Sequence, residues 1–383
     1  MVGSGARFLS GISYYTHRLA RELANSNDVS VILMRQLLPT RLYPGKARVG
    51  SDLVSFDYGP GVRVLDGVDW FWLPSIFRAL RLLRREQPEM LILQWWTGTV
   101  LHTYLVLALA ARLQGTRVIV EFHEVLDTGE LGVPVADAYV RALSPVLMRM
   151  VDGVVVHNEH DRVALEERYR LGKRPRRTIP HGPYDQYAAA PQGASIETGA
   201  SSDAPFEVLF FGVIRPFKGV EDLISAFDSM STDEASKFHL TVIGETWEGW
   251  TRPTEMIAAS PHADRITFVN RYVSDAEAAG YFAQAEAVAL PYHRSSSSGP
   301  AHLTMSHGLP LVITEVGGLR EAVAGYQGAL RIPPHDPAAL RSALHEALSL
   351  RGQRFSDPHT WERTVNGYAD LFAELRVEAG HAT

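Results

Sequence analysis

The stretch from Glu207 to Met230, EVLFFGVIRPFKGVEDLISAFDSM, admits few folds. Glu207 to Phe211 is a short, nearly continuous apolar run, as in a strand covered on both faces of a parallel sheet, and Gly212 ends it. From Val220 the apolar residues Val220, Leu223, Ile224 and Phe227 recur at i, i+3, i+4 and i+7, one face of an amphipathic helix with Glu221 and Asp222 in its first turn. The order is strand, loop, helix. Its loop holds Arg215 and Lys218 around Pro216, beside a helix start whose unpaired N–H groups and dipole suit an anion, above all phosphate. A single loop cation is as readily a solvated side chain. Two in one short loop after a buried strand point to a ligand.

A second stretch repeats the arrangement. After the apolar run Ala287 to Leu290, Ser295 to Ser298 and Gly299 lead to Pro300, a favoured first helical residue, and the helix runs to about His307 before Gly308. Hydroxyls and free N–H groups at a helix start form a cradle for a polar anion, although a serine tract also reads as a loose loop. In the first half, Arg117 to Phe122 reads as a strand with His123 and Glu124 at its carboxyl end, where open α/β sheets bind ligands. A lone His there suits a structural role as well as a catalytic one. Gly3, Gly5 and Gly11 lie in a loop leading into a helix from Ile12 to Asn25, with Ser10 or Ser13 as its cap.

The rest of the chain alternates the same two patterns. Strands are expected at 29–34, 90–94, 151–157, 238–243 and 266–270, and helices at 75–85, 99–113, 158–169, near Thr254, at 275–283 and at 361–377. That alternation argues parallel, doubly wound sheets. The helix at 99–113 is apolar, but polar residues interrupt the surrounding stretch, which fits a buried core helix rather than a membrane span. The segment DQYAAAPQGASIETGASSDAP has no hydrophobic period and reads as a linker. With 383 residues, the chain then divides into a domain over 1–184, the linker 185–205, a second domain over 206–358 and a C-terminal helix over 359–383.

Net charge of −6 gives no sign of nucleic-acid binding, and the absence of cysteine removes disulfides, thiolate chemistry and Cys-ligated zinc. The start, MVGSGARFLSGIS, lacks the apolar core of a signal peptide, so the expectation is a cytoplasmic protein. Six cations between Arg168 and Arg177 would suit anionic lipid on the inner membrane face, an anionic acceptor, or simply a solvated basic face.

The strand, Gly212, Arg215 and Lys218-Gly219 before a helix resemble the opening of the second domain in family 4 glycosyltransferases, enzymes of the GT-B fold, and the resemblance runs over nearly the whole chain. It implies an α/β protein of two Rossmann-like domains facing across a cleft. The first would bind the acceptor and the second a nucleotide-sugar donor, with the C-terminal helix crossing back to the first domain. It further implies retention at the anomeric carbon. His123, Arg215 and Lys218 would be the catalytic group. Donor contacts would come from Gly11, Gly212, Gly244, Glu245, Tyr272, Val273, Ser295, Ser297, Ser298, Gly299 and Leu303, and the pattern GG-x-x-E is present at Gly317, Gly318 and Glu321.

Three departures accompany it. The commoner pattern places Arg directly after the Gly, where this chain has Val213. The family's two Glu residues across the second loop fall at Ser295 and Leu303, neither acidic, which opens a rival reading as an inactive nucleotide-binding or scaffold protein. Only Met1 and Val2 precede the first glycine loop, so either the family's first strand is replaced or the chain starts upstream. The chain contains no Asp-x-Asp, so no metal and no cofactor are expected beyond the nucleotide sugar as substrate. The acceptor would be a glycan, a lipid-linked or a small molecule. A Rossmann dehydrogenase or epimerase ranks last, because Gly3, Gly5 and Gly11 do not form G-x-G-x-x-G after a strand.

Overall fold

The computed structural model describes residues 1–6, 11–36, 56–69, 74–125, 134–185, 204–247 and 249–380. They form two units, Met1–Gly182 with His359–Thr383, and Pro183–Pro358.

The first unit is built on a parallel sheet of β1 (Val2–Ser4), β2 (Val29–Gln36), β3 (Val62–Asp69), β4 (Met90–Trp95), β5 (Arg117–Phe122), β6 (Gly153–Val156) and β7 (Arg176–Thr178). Their order is β3-β2-β1-β4-β5-β6-β7. Its helices are α1 (Gly11–Leu23), α2 (Ser75–Glu86), α3 (Leu101–Leu113), α4 (Pro134–Met150), α5 (Glu159–Arg168) and the C-terminal helix Trp361–Gly380. The central strands are buried on both faces, which is why they read as unbroken apolar runs. On one face Ile76, Leu83, Leu101, Tyr104, Leu107 and Leu147 of α2, α3 and α4 cover the sheet. On the other, Tyr15 and Leu19 of α1 pack with Tyr368 and Leu371 of the C-terminal helix over Ile92, Ile119 and Val155. Local signals fix several ends. The Asn158 side chain accepts from the Asp161 N–H at 2.7 Å to start α5, and Gln87 closes α2 in the left-handed region.

The second unit holds β8 (Phe206–Phe211), β9 (Phe238–Ile243), β10 (Ile266–Val269), β11 (Ala287–Leu290), β12 (Leu311–Thr314) and β13 (Ala329–Ile332), all parallel in the order β10-β9-β8-β11-β12-β13. Its helices are α6 (Val220–Asp228), α7 (Thr232–Ala235), α8 (Arg252–Ala259), α9 (Asp275–Gln284), α10 (Gly299–Ser306), α11 (Leu319–Ala322) and α12 (Pro337–Ser349). Val220, Leu223, Ile224 and Phe227 of α6 are buried, as the spacing requires. Ser274 and Glu277 form a reciprocal capping box at the start of α9. Chain order reverses between β1 and β4 in the first sheet and between β8 and β11 in the second. Loops beyond the strand ends at such reversals are where open α/β sheets hold ligands.

Several sequence expectations change. A first strand is present, Val2–Ser4, paired with β2 and β4 at the centre of the sheet. Gly3 therefore sits in a strand rather than a loop, and a Cβ there would stand 2.2 Å from Gln94 Oε1. Ser13 is no cap but lies inside α1, its hydroxyl donating to the Gly5 carbonyl at 3.1 Å; Ser10 lies outside the described residues. Ile179–Gly182, which by the family resemblance reads as a short strand and turn before the linker, follows a short strand that falls earlier, at Arg176–Thr178. Of the expected linker, residues 186–203 lie outside the described residues. β3, α4, α7 and everything from β12 to α12 have no counterpart among the expected elements. Of these, α7, α11 and β12 are short and the edge strand β3 has an irregularly alternating burial, whereas α12 buries Leu340, Ala343, Leu344 and Ala347 at helical spacing, a signal the sequence did carry.

Candidate active site

In the second unit the loops following β8 and β11, on either side of the reversal, pack directly on each other. The His293 N–H donates to the Phe217 carbonyl at 2.8 Å. Gly219 has φ +65°, and a Cβ there would lie 1.9 Å from the Pro291 carbonyl oxygen, so only glycine lets the two backbones meet. Gly212 sits 3.3 Å, measured from an ideal Cβ, from Pro300 at the start of α10. Gly244 comes so close to Gly212 that a Cβ would stand 1.8 Å from its carbonyl. Glu245 receives the Ile214 N–H at 3.0 Å on its backbone carbonyl, and its carboxylate accepts from the Trp247 indole at 3.0 Å. Asn270 then ties the next loop in, accepting from the Thr246 N–H at 2.9 Å. Tyr272 and Val273 follow in that loop, Val273 buried and Tyr272 half-buried.

The charge distribution is uneven. Around the Phe217 ring stand Arg294 at 4.7 Å, Arg215 at 4.9 Å and Lys218 at 5.5 Å, and Lys218 Nζ also lies 3.8 Å from the centre of the Tyr292 ring. Among the described residues neither Lys218 nor Arg294 forms an ion pair. Three cations held on aromatic faces, with two of them lacking an acid, leave a strongly positive patch beside the starts of α6 and α10. Arg294 was missed in the sequence because it belongs to a different loop from Arg215 and Lys218.

The serine tract is less free than its composition suggests. Ser295 donates its hydroxyl to the Ser297 carbonyl at 2.6 Å, and its own carbonyl accepts from the Gly318 N–H at 3.1 Å. Ser298 is buried and caps α10, accepting from the Ala301 N–H at 3.3 Å. Gly299 opens the helix at half exposure. Leu303 is buried on the inner side of α10 and offers no polar atom. Beside this patch, Asp222 Oδ2 and His293 Nε2 are 2.8 Å apart, and the His293 and His335 rings meet at 3.7 Å.

In the first unit, Gly11 begins α1 and His123 stands beyond β5. His123 is buried, and burial together with neighbouring His157 holds its imidazole well below the ordinary range, so it is neutral. The structure surrounds it with groups that sequence reasoning passed over. Glu121 is fully buried and accepts from the Tyr15 hydroxyl at 2.6 Å and the Gln94 amide at 3.0 Å. Tyr15 meets the His123, His157 and His181 rings at 4.8, 5.3 and 4.2 Å. The available signals were a carboxylate inside the apolar strand RVIVEF and a second His just past the next strand. In the basic run, Arg176 and Arg177 belong to β7 and pair with Glu166 at 3.5 Å and Glu374 at 2.6 Å, which neutralises part of its charge.

Residues 10–182 match the family description "Glycosyl transferase 4-like domain", and residues 205–349 match "Glycosyl transferases group 1". Among curated proteins, the D-inositol 3-phosphate glycosyltransferase of Salinispora tropica is 32% identical over 189 residues, 45% of this chain and 39% of that protein. The enzyme of the same description from Geodermatophilus obscurus is 28% identical over 248 residues, 61% of this chain and 54% of that protein. The matches thus span 39% to 54% of the length of these relatives. Among solved structures, the sucrose-phosphate synthase of Thermosynechococcus elongatus superposes with a TM-score of 0.61 at 17% identity, covering 99% of this chain and 94% of that one. An Anabaena protein solved with UDP gives 0.58 at 13% identity, covering 100% and 98%. A trehalose-6-phosphate protein from E. coli bound with UDP-2-fluoro glucose gives 0.61 at 12% identity, covering 98% and 94%.

Proposed function

The chain belongs to the family 4 glycosyltransferases, with their GT-B fold, and we propose that it moves a sugar from a nucleotide-diphosphate donor to an acceptor. The observation that carries this reading is the cation cluster at Phe217. Arg215, Lys218 and Arg294 gather at the strand reversal of the second unit, beside the starts of α6 and α10, where a diphosphate needs positive charge and free N–H groups.

In this reading Lys218 and Arg215 stabilise the charge that grows on the leaving phosphate, and the N-terminus of α10 adds its dipole. Without an Asp-x-Asp sequence, these side chains rather than a metal ion carry that task. Departure of the phosphate precedes or accompanies attack by the acceptor from the same face, so configuration is retained. The phosphate oxygen takes the acceptor proton, and no side-chain nucleophile is needed. His123 positions a sugar hydroxyl as a neutral imidazole, able to hydrogen-bond without adding charge. Gly244, Glu245 and Tyr272 border the base.

Two features narrow the choice of ligands. Two of the structural neighbours were solved with UDP or a UDP-sugar bound, which makes uridine the first base to try. The names of the relatives and neighbours carry inositol phosphate, sucrose phosphate or trehalose phosphate, which favours a small phosphorylated polyol or sugar as acceptor.

The test is a mass-spectrometric screen of the purified protein with UDP-, GDP-, ADP- and TDP-sugars, with and without phosphorylated polyols, following release of nucleoside diphosphate. Release from one donor, lost in Lys218→Ala, is expected. No release with any pair, together with no nucleotide binding by calorimetry, would refute the reading.

A further inference from the structure

We propose that Glu121, His123 and His157 form a buried site for a divalent metal ion of the zinc class. Their candidate ligand atoms lie within 4.8 Å of one another. His123 and His157 each stand two residues beyond paired positions, Glu121 and Val155, so the two imidazoles rise to the same level at adjacent strand ends. Their ring centres are 4.8 Å apart.

The hydrogen bonding around them leaves a gap that a cation fills. His157 Nδ1 lies 3.0 Å from the Ile179 carbonyl, which can only accept, so Nδ1 carries the proton and, in the neutral ring, Nε2 presents a lone pair. That lone pair faces Glu121 Oε1 at 3.5 Å, another acceptor. His123 Nε2 lies 3.9 Å from Glu121 Oε2. Neither Nε2 has a hydrogen-bond partner among the described residues, and both rings are at least nine-tenths buried. Acceptor against acceptor in a buried pocket is costly, as is a fully buried carboxylate that among the described residues has no Arg or Lys in ion-pair range.

The dimensions and the surroundings suit a metal. A tetrahedral zinc with bonds of about 2.0–2.1 Å holds its donor atoms about 3.4 Å apart; here His157 Nε2 lies 3.5 Å from Oε1 and His123 Nε2 3.9 Å from Oε2 of Glu121, so the metal would draw the three groups slightly together around a carboxylate that faces one imidazole with each oxygen. The outer shell is in place, since His157 gives its other N–H to a backbone carbonyl and Glu121 is oriented by Tyr15 and Gln94. Three protein ligands leave one position open for water. Only residues of the first unit take part, and since the metal would take Nε2 of His123, Nδ1 is the nitrogen left for a sugar hydroxyl, so the site stands whether or not the transferase reading holds.

The experiment uses the full chain, stripped with a chelator, reloaded with zinc chloride and assayed for bound metal and melting temperature. Cobalt replaces zinc in a parallel sample for visible absorption. Wild type should retain about one zinc and melt higher with it, and its cobalt form should show absorption bands that zinc abolishes. His157→Ala and Glu121→Gln, if folded by circular dichroism, should lose both effects. His335→Ala, which disables the half-exposed Asp222, His293 and His335 group, should keep them. Wild type without zinc retention, melting shift or cobalt bands would overturn the proposal. Binding lost in His335→Ala but kept in His157→Ala would overturn it too. If His157→Ala does not fold, wild type and His335→Ala decide the matter.

Discussion

Lys218 Nζ stands 3.8 Å from the centre of the Tyr292 ring, the closest cation–ring approach among the described residues. The two residues come from the loops on either side of the strand reversal, so the contact fixes where the ammonium can reach. If Lys218 stabilises the leaving phosphate, Lys218→Ala removes about 2–4 kcal/mol of transition-state stabilisation, roughly thirty- to a thousandfold in donor turnover. The check is the rate of nucleoside diphosphate release at saturating donor. An unchanged rate would take Lys218 out of the mechanism.

Gly219 gives a test of how closely the same loops must approach. Gly219→Ala meets both a left-handed φ of +65° and a backbone carbonyl 1.9 Å from the new Cβ. Gly249 has a similar φ of +68° with open space around its Cβ position. Gly249→Ala should therefore lose only about 1 kcal/mol, the conformational strain alone. Gly219→Ala should lose more, because Pro291 must move, and its nucleotide affinity should fall with its melting temperature. Equal melting temperatures for the two variants would show that the loops separate without penalty.

These positions also show what the sequence could and could not reveal. Arg215, Lys218 and Gly219 lie in one short segment between an apolar run and an amphipathic helix, so periodicity and spacing exposed them together. Arg294 is 76 residues beyond Lys218 and joins the cluster only because β8 and β11 are neighbours in the sheet. Pairing between distant strands has no local signature. The same holds for Tyr15, Gln94 and Glu121, which meet across α1, β4 and β5. A polar residue inside a buried strand reads as a mere interruption until its partners are placed. The serine tract erred the other way, since composition counts hydroxyls but not the backbone groups that occupy Ser295 and Ser298.

Glu234 couples two helices of the second unit through the Arg341 guanidinium, at 2.7 Å to each carboxylate oxygen. That ion pair, with hydrogen bonds from Ser231, holds the carboxyl down to about 2 in the folded protein. A carboxyl depressed on folding adds stability above its unfolded value of about 4.3 and gives it up as pH falls through the folded value. The stability difference between wild type and Glu234→Gln should thus be constant near neutrality and shrink between about pH 5 and pH 2. Urea unfolding at a series of pH values reads this directly. A difference that stays constant down to pH 2 would mean that the carboxyl is not depressed.

Two buried tyrosines provide the last comparison, because they differ in what their hydroxyls do. Tyr15 donates to the fully buried Glu121 at 2.6 Å, whereas the Tyr292 hydroxyl has no partner among the described residues. Removing a donor from a buried carboxylate leaves a charge short of one hydrogen bond, a loss of about 1–3 kcal/mol, so Tyr15→Phe should unfold at lower denaturant with its slope unchanged. Removing a hydroxyl that makes no bond relieves an unpaired dipole, so Tyr292→Phe should be neutral or slightly more stable. The aromatic ring that faces Lys218 remains in Tyr292→Phe, and donor turnover should stay within a few-fold of wild type. Destabilisation of Tyr292→Phe equal to that of Tyr15→Phe would mean that its hydroxyl is satisfied in solution, and a matching fall in turnover would place that partner at the phosphate site.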